Sequence, residues 1–220
     1  LLPRSKDTVF LDYTNMDGIF LHINKFLSNK EKYHARDLLF KTGILLYGPP
    51  GTGKSTVARM ICSEYKMSMV LIDMSQFSNI DIDYITTSIN ADDNMYVIVL
   101  EDIDRVMDAK DSDKHEAVNK LLQFLDSSSS PTDVIFVATT NHLDRLDPAI
   151  IRDGRFDATF NIEDIHKDAA FRMMYSFGLN IDACMEIWKN NNVDGLINPA
   201  RLQNLILNYQ GEKEIDLQEE

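Results

Sequence analysis

One run of nine residues constrains this chain more than any other: Gly48, Pro49, Pro50, Gly51, Thr52, Gly53, Lys54 and Ser55 satisfy the eight-position pattern G-x-x-x-x-G-K-[ST], and Thr56 follows directly. The run follows a short apolar stretch, Ile44 to Tyr47, and precedes an amphipathic one, Lys54 to Lys66, so it occupies a strand-to-helix turn. Glycines there let backbone N–H groups turn toward phosphates, and the helix N-terminus adds a favourable dipole. In that arrangement Lys54 reaches the β and γ phosphates of a nucleotide and Ser55 coordinates Mg²⁺. The expected ligands are therefore ATP or ADP with Mg²⁺.

The surrounding pattern predicts the architecture. Apolar runs recur at Met69–Ile72, Tyr96–Leu100 and Val134–Ala138, with helical stretches between them at Ile80–Ile89 and Lys114–Leu125. A further helix is expected over Asp17–Asn29, where Ile19, Phe20, Ile23, Phe26 and Leu27 share one face. Continuous apolar strands alternating with helices specify an α/β fold, a parallel sheet flanked by helices on both faces. Past Glu163 the strand signal stops, and the segments Lys167–Phe177, Ile181–Asn190 and Pro199–Tyr209 predict a small all-helical lid. The expected division is residues 1–162 as the large subdomain and 163–220 as the lid with an acidic tail. Residues 1–9 are set apart as a disordered or vector-derived stretch, and Ser127–Pro131 as a surface loop.

Three further groups carry chemistry. The strand Val97-Ile-Val-Leu ends in Glu101 and Asp102, at the sheet edge where the phosphate turn also lies. By position Glu101 backs the metal and Asp102 polarises the attacking water. The next strand ends Thr139-Thr140-Asn141, which places Asn141 to orient that water. Arg152 and Arg155 flank a glycine with no acid partner evident in sequence, and a guanidinium at a transferring phosphate raises rate by about 10³ to 10⁵.

Taken in order, these motifs resemble those of AAA+ ATPases over residues 10 to 210. Within them the match is best to the Bcs-type subgroup, the mitochondrial translocase and assembly chaperone for the Rieske iron-sulfur protein. Phe26-Leu-Ser-Asn-Lys-Glu-Lys-Tyr33, Gly43-Ile-Leu-Leu-Tyr-Gly-Pro-Pro-Gly51, Leu121-Leu-Gln-Phe-Leu-Asp126 and Thr139 to Ala149 carry that likeness, together with the order Glu101-Asp102, which most of the superfamily reverses. The resemblance implies that Asn141 is a sensor on a strand between the phosphate-turn strand and the acid-bearing strand. It implies that Arg152 and Arg155 act on a neighbouring subunit's ATP in a homo-oligomeric ring of six or seven copies, and that Arg201 stands where many relatives carry a second sensor. Unfolding motors of the superfamily place an aromatic-hydrophobic-glycine triplet after the second strand. Asp73 to Asp81 has none, and Phe77 reads as a buried anchor, which disfavours threading and suits a folded protein cargo.

Composition narrows partners. The formal net charge is −13 and the pI about 4.7, so nucleic acid is the poorer expectation. Residues 81–116 hold 11 acids against 3 bases, and in a ring they are expected to line the axis. Two cysteines, Cys62 and Cys184, point to a reducing compartment such as the cytoplasm, and no apolar run approaches the ~20 residues of a membrane-spanning helix. An anchor ahead of Leu1 is compatible with this reading. A nucleic-acid motor and an ATP-gated scaffold with little hydrolysis are the competing functions.

Overall fold

The computed structural model describes residues 4–108, 111–126 and 130–210. Five parallel strands form the central sheet: β1 (Lys41–Tyr47), β2 (Ser68–Asp73), β3 (Tyr96–Glu101), β4 (Val134–Thr140) and β5 (Ala158–Asn161). Their spatial order is β2-β3-β4-β1-β5. β4 thus lies between β1 and β3, the position the resemblance assigns to the strand that ends at Asn141.

Strand alternation sorts the core into two layers. Ile44, Leu46, Val97, Val99, Ile135 and Val137 point to one face and pack on α1 (Tyr13–Leu27) and α3 (Lys54–Glu64). Leu45, Ile98, Leu100, Phe136 and Ala138 point to the other, against α4 (Ile82–Asn90) and α5 (Asp111–Asp126). Both faces are covered, so the strands read as unbroken apolar runs. A short α2 (Lys30–His34) follows α1. It and β5 carried no sequence signal: Ala158-Thr-Phe-Asn161 is a partly exposed edge strand with mixed polarity.

A third core comprises residues from Ile165 to Ile206, built on α6 (Lys167–Ser176), α7 (Ile181–Asn191) and α8 (Pro199–Leu207). It is not purely helical. Ile165–His166 (β6) pairs antiparallel with Leu196–Ile197 (β7), a two-residue ribbon too short for periodicity to reveal. Residues 4–9 also depart from expectation, because Lys6–Thr8 form a 3₁₀ turn and Val9, with Leu11, is buried in the layer that packs on α1 and α3. Arg172 on α6 donates to the Leu11 carbonyl at 2.8 Å, which ties this N-terminal stretch to the lid. Leu1–Pro3, most of the Ser127–Pro131 loop and the acidic tail lie outside the described residues.

Candidate nucleotide site

The turn after β1 has the backbone that phosphate binding demands. Gly48, Gly51 and Gly53 take φ of 140°, 80° and 99°, values that favour glycine, and Gly53 leads into the first turn of α3. Thr52 is buried, and its hydroxyl donates to the Pro49 carbonyl at 2.9 Å, bracing the loop. Lys54 is buried too; its Nζ donates to the carbonyls of Gly48 (2.8 Å) and Pro49 (2.6 Å). Burial pushes the Lys54 ammonium below its usual range, against the opposing pull of the Asp102 and Asp104 carboxylates. An ammonium resting on loop carbonyls, with no ion pair to a carboxylate among the described residues, is poised to gain a stronger anionic partner.

A cavity of about 410 Å³ opens over this turn. Its walls include Gly51 to Thr56, Asp102, Thr139 and Asn141, the start of α8, where the Ala200 N–H donates to the Gly51 carbonyl at 3.2 Å, and Arg4, Thr8 to Leu11, Met173 and Phe177. Apolar side chains such as Val9, Phe10, Leu11, Met173 and Phe177, together with the polar groups of the phosphate turn, suit the base and the phosphates of a nucleotide. Ser55 lies on the wall as expected, and of the cavity's described lining residues only Asp102 is a carboxylate. Glu101, expected beside the metal, pairs in register with Asp73 and is not on that wall. The donors that face the cavity still suit Mg²⁺ held by phosphates, the Ser55 hydroxyl and water.

Asp102 is held in a left-handed conformation, φ 53°, uncommon for a residue with a side chain. Its N–H donates to Thr139 Oγ1 at 3.1 Å, its carbonyl accepts from the Arg105 N–H at 2.9 Å, and its carboxylate pairs with the Arg105 guanidinium at 2.9 Å. Those contacts hold this turn at the end of β3, and Asp102 lines the cavity.

The arginine segment lies elsewhere. Asp157 anchors it: one carboxylate oxygen accepts from Thr42 Oγ1 (2.8 Å) and Gly43 N (3.1 Å), the other from Gly154 N (2.9 Å). The segment therefore sits against Gly43, near the start of β1, while the phosphate turn begins five residues on at Gly48, about 16 Å away along an extended strand. Arg152 is exposed. Arg155 is not unpartnered as expected; it contacts the Ala149 carbonyl and forms an ion pair with Asp126 at 3.0 Å.

Several contacts were beyond sequence reasoning. Asn198 caps α8, and its amide also donates to the Pro50 carbonyl (3.1 Å) and to Asp164 (2.9 Å), so it joins lid to phosphate turn. The Asn-Pro pair signalled a helix start, and nothing more. Arg201 faces Asn191 (3.3 Å) and is not on the cavity wall; Ala200 and Gln203 are. Phe77 is buried as expected, and Lys120 Nζ holds its loop by bonds to the carbonyls of Phe77, Ser78 and Ile80. The acid of residues 81–116 is split, since Asp81 caps the start of α4 whereas Asp92 caps a turn before β3, at the opposite sheet edge from Asp102. One continuous acidic lining does not follow from it.

Residues 44–164 match the family model described as ATPase family associated with various cellular activities (AAA). The chain belongs to the AAA family. Among curated relatives, AAA-ATPase At2g18193 of Arabidopsis thaliana is 32% identical over 203 residues, covering 84% of this chain and 40% of that protein. The mitochondrial chaperone BCS1 of Bos taurus is 33% identical over 164 residues, covering 70% of the chain and 39% of the relative. This AAA domain thus spans about 40% of the length of the curated relatives it matches. Among its described residues no helix is long and apolar enough to cross a membrane.

Proposed function

We propose that this AAA domain hydrolyses ATP within a homo-oligomeric ring, of six or seven copies, that remodels or moves a protein cargo. The observation that carries the reading is a separation: Lys54, Ser55, Asp102 and Asn141 surround one cavity, while Arg152 and Arg155 sit near the start of β1, beyond side-chain reach of it. Neither arginine of that segment lines the cavity, whose one lining arginine among the described residues is Arg4, so in this reading a neighbour supplies Arg152 and Arg155.

In this reading the glycine turn and the α3 N-terminus bind the phosphates, and Lys54 exchanges its loop carbonyls for phosphate oxygens. Mg²⁺, held at Ser55, would neutralise charge on the β and γ phosphates. Asp102 accepts the proton of the attacking water, and Asn141 orients that water by hydrogen bonding. Aspartate is one methylene shorter than the glutamate that most of the superfamily carries, so in this reading the backbone at Asp102 has to stand closer to the water. Cargo is a protein by analogy with the chaperone relative, and Phe77, folded into the core, supports handling without threading.

The test is Asp102→Asn: Mg²⁺-dependent turnover falls at least about 100-fold while nucleotide affinity stays within about 3-fold. Turnover at the parental rate refutes the assignment of the base. Stimulation by a folded protein, and none by DNA, supports the cargo class; tight, salt-sensitive DNA binding in the assembled ring argues against it.

A further inference from the structure

Strand β4 ends in two threonines whose side chains leave on opposite faces. Thr139 accepts the Asp102 N–H on the cavity side. Thr140, fully buried, donates through Oγ1 to Asp104 Oδ1 at 2.6 Å, and the same oxygen accepts the His142 N–H at 2.9 Å. Asp104 is itself only 6% exposed. The hydroxyl therefore closes a bridge across Asn141, from the residue before it to the residue after it, and moors that bridge to the acid two residues beyond Asp102.

We infer that Thr140 and Asp104 are positioning residues, setting where Asn141 stands relative to Asp102. This rests on the reading that Asn141 and Asp102 act on the γ phosphate and its water. The physical argument is rigidity. A short bond from a hydroxyl to a buried carboxylate is strong and directional. With Thr139 holding Asp102 and Thr140 holding Asp104, the ends of β3 and β4 are pinned together at two successive residues. The water between a base and an orienting amide tolerates little displacement, since misplacement by about 1 Å can lower rate about 100-fold. The pair acts through Asn141 and touches no reacting atom, so it governs turnover and leaves affinity to the phosphate turn.

The experiment measures kcat, KM and the Kd of a fluorescent ATP analogue, at protein concentrations where turnover per subunit is maximal, for Thr140→Val, Thr140→Ser, Asn141→Ala and the double variant Thr140→Val/Asn141→Ala. Valine keeps the volume and removes the hydroxyl; we expect kcat to fall at least about 10-fold with Kd within about 3-fold, and serine to regain at least about half of the loss. Because Thr140 acts through Asn141, the double variant turns over within about 2-fold of Asn141→Ala alone. Losses that multiply, a parallel loss of affinity, or full turnover in Thr140→Val overturn the inference. If Thr140→Val fails to fold, Asp104→Asn retains an oxygen for the hydroxyl to meet; a loss in kcat under about 10-fold supports the pair, and a larger one shows that Asp104 acts by charge and overturns it. Full turnover in Asn141→Ala refutes the underlying reading, whereas loss there with none in Thr140→Val refutes the positioning pair alone.

Discussion

The Arg155 guanidinium lies 3.0 Å from the Asp126 carboxylate, at the C-terminal end of α5, although the two residues are 29 apart in sequence. Arg155 is nearly buried by this contact and Asp126 is half-exposed, so the pair is accessible from outside the subunit on the acid's side. In its own chain the arginine is held by Asp126 and the Ala149 carbonyl and does not line the cavity over its own phosphate turn. A neighbouring nucleotide would compete with Asp126 for the same guanidinium.

That arrangement predicts a trans effect. Arg155→Ala should bind nucleotide normally and show no turnover above about 1% of the parental rate at any protein concentration, whereas the parental rate per subunit rises steeply as rings assemble. Asp126→Asn, which releases a half-exposed ion pair, should shift stability by less than about 1 kcal/mol. Turnover against protein concentration, paired with chemical denaturation, checks both.

Gly43 is required by a close approach. A Cβ built there would stand 1.7 Å from the Arg155 carbonyl oxygen, a backbone atom that cannot swing aside. Gly43→Ala should therefore displace the arginine segment from β1 and destabilise the domain by about 2 kcal/mol or more, with turnover lost together with thermal stability. Differential scanning calorimetry beside ATPase assays reads this.

Phe77 and Tyr84 divide anchor from surface. Phe77 is 1% exposed under the loop that Lys120 clasps, and Tyr84 is 72% exposed on the first turn of α4. Phe77→Ala should lower stability by about 3 to 5 kcal/mol, while Tyr84→Ala changes it by less than about 0.5 kcal/mol. If Phe77 instead gripped cargo, its removal would spare stability and abolish cargo-stimulated turnover.

Cys62 supplies an alkaline test. Burial beside Ala58, whose carbonyl accepts its S–H, pushes the thiol up to about 11 from 9.0. The folded state therefore holds its proton more tightly than the unfolded state. The resulting stabilisation is fully present below about pH 9 and is lost as pH rises from 9 through 11. Native protein at pH 8 should react with a disulfide reagent at under about 5% of the rate seen after denaturation, since the group is both buried and protonated. Urea titrations at pH 8 and pH 10 measure the loss.

What was legible in the sequence was what contiguous residues accomplish alone. The phosphate turn works through backbone groups of nine neighbouring residues, so its spacing suffices to reveal it. The same holds for Glu101 and Asp102 and for Asn141, which end apolar strands that could only be buried in a parallel sheet. Residues with no periodic signature were not legible: the two-residue ribbon of Ile165 and Ile197, the edge strand at Ala158, and the packed N-terminal stretch around Val9. Strand order decided the rest. Only when β4 is inserted between β1 and β3 does Thr139 meet Asp102 and Thr140 meet Asp104, and only when β5 joins β1 does Arg155 come to rest at Gly43. Asp102 lines the cavity and Glu101 does not, and the left-handed turn at Asp102 is held by Thr139 of the neighbouring strand. Local chemistry was written in the order of residues; its aim was set by partners 29 to 148 positions away.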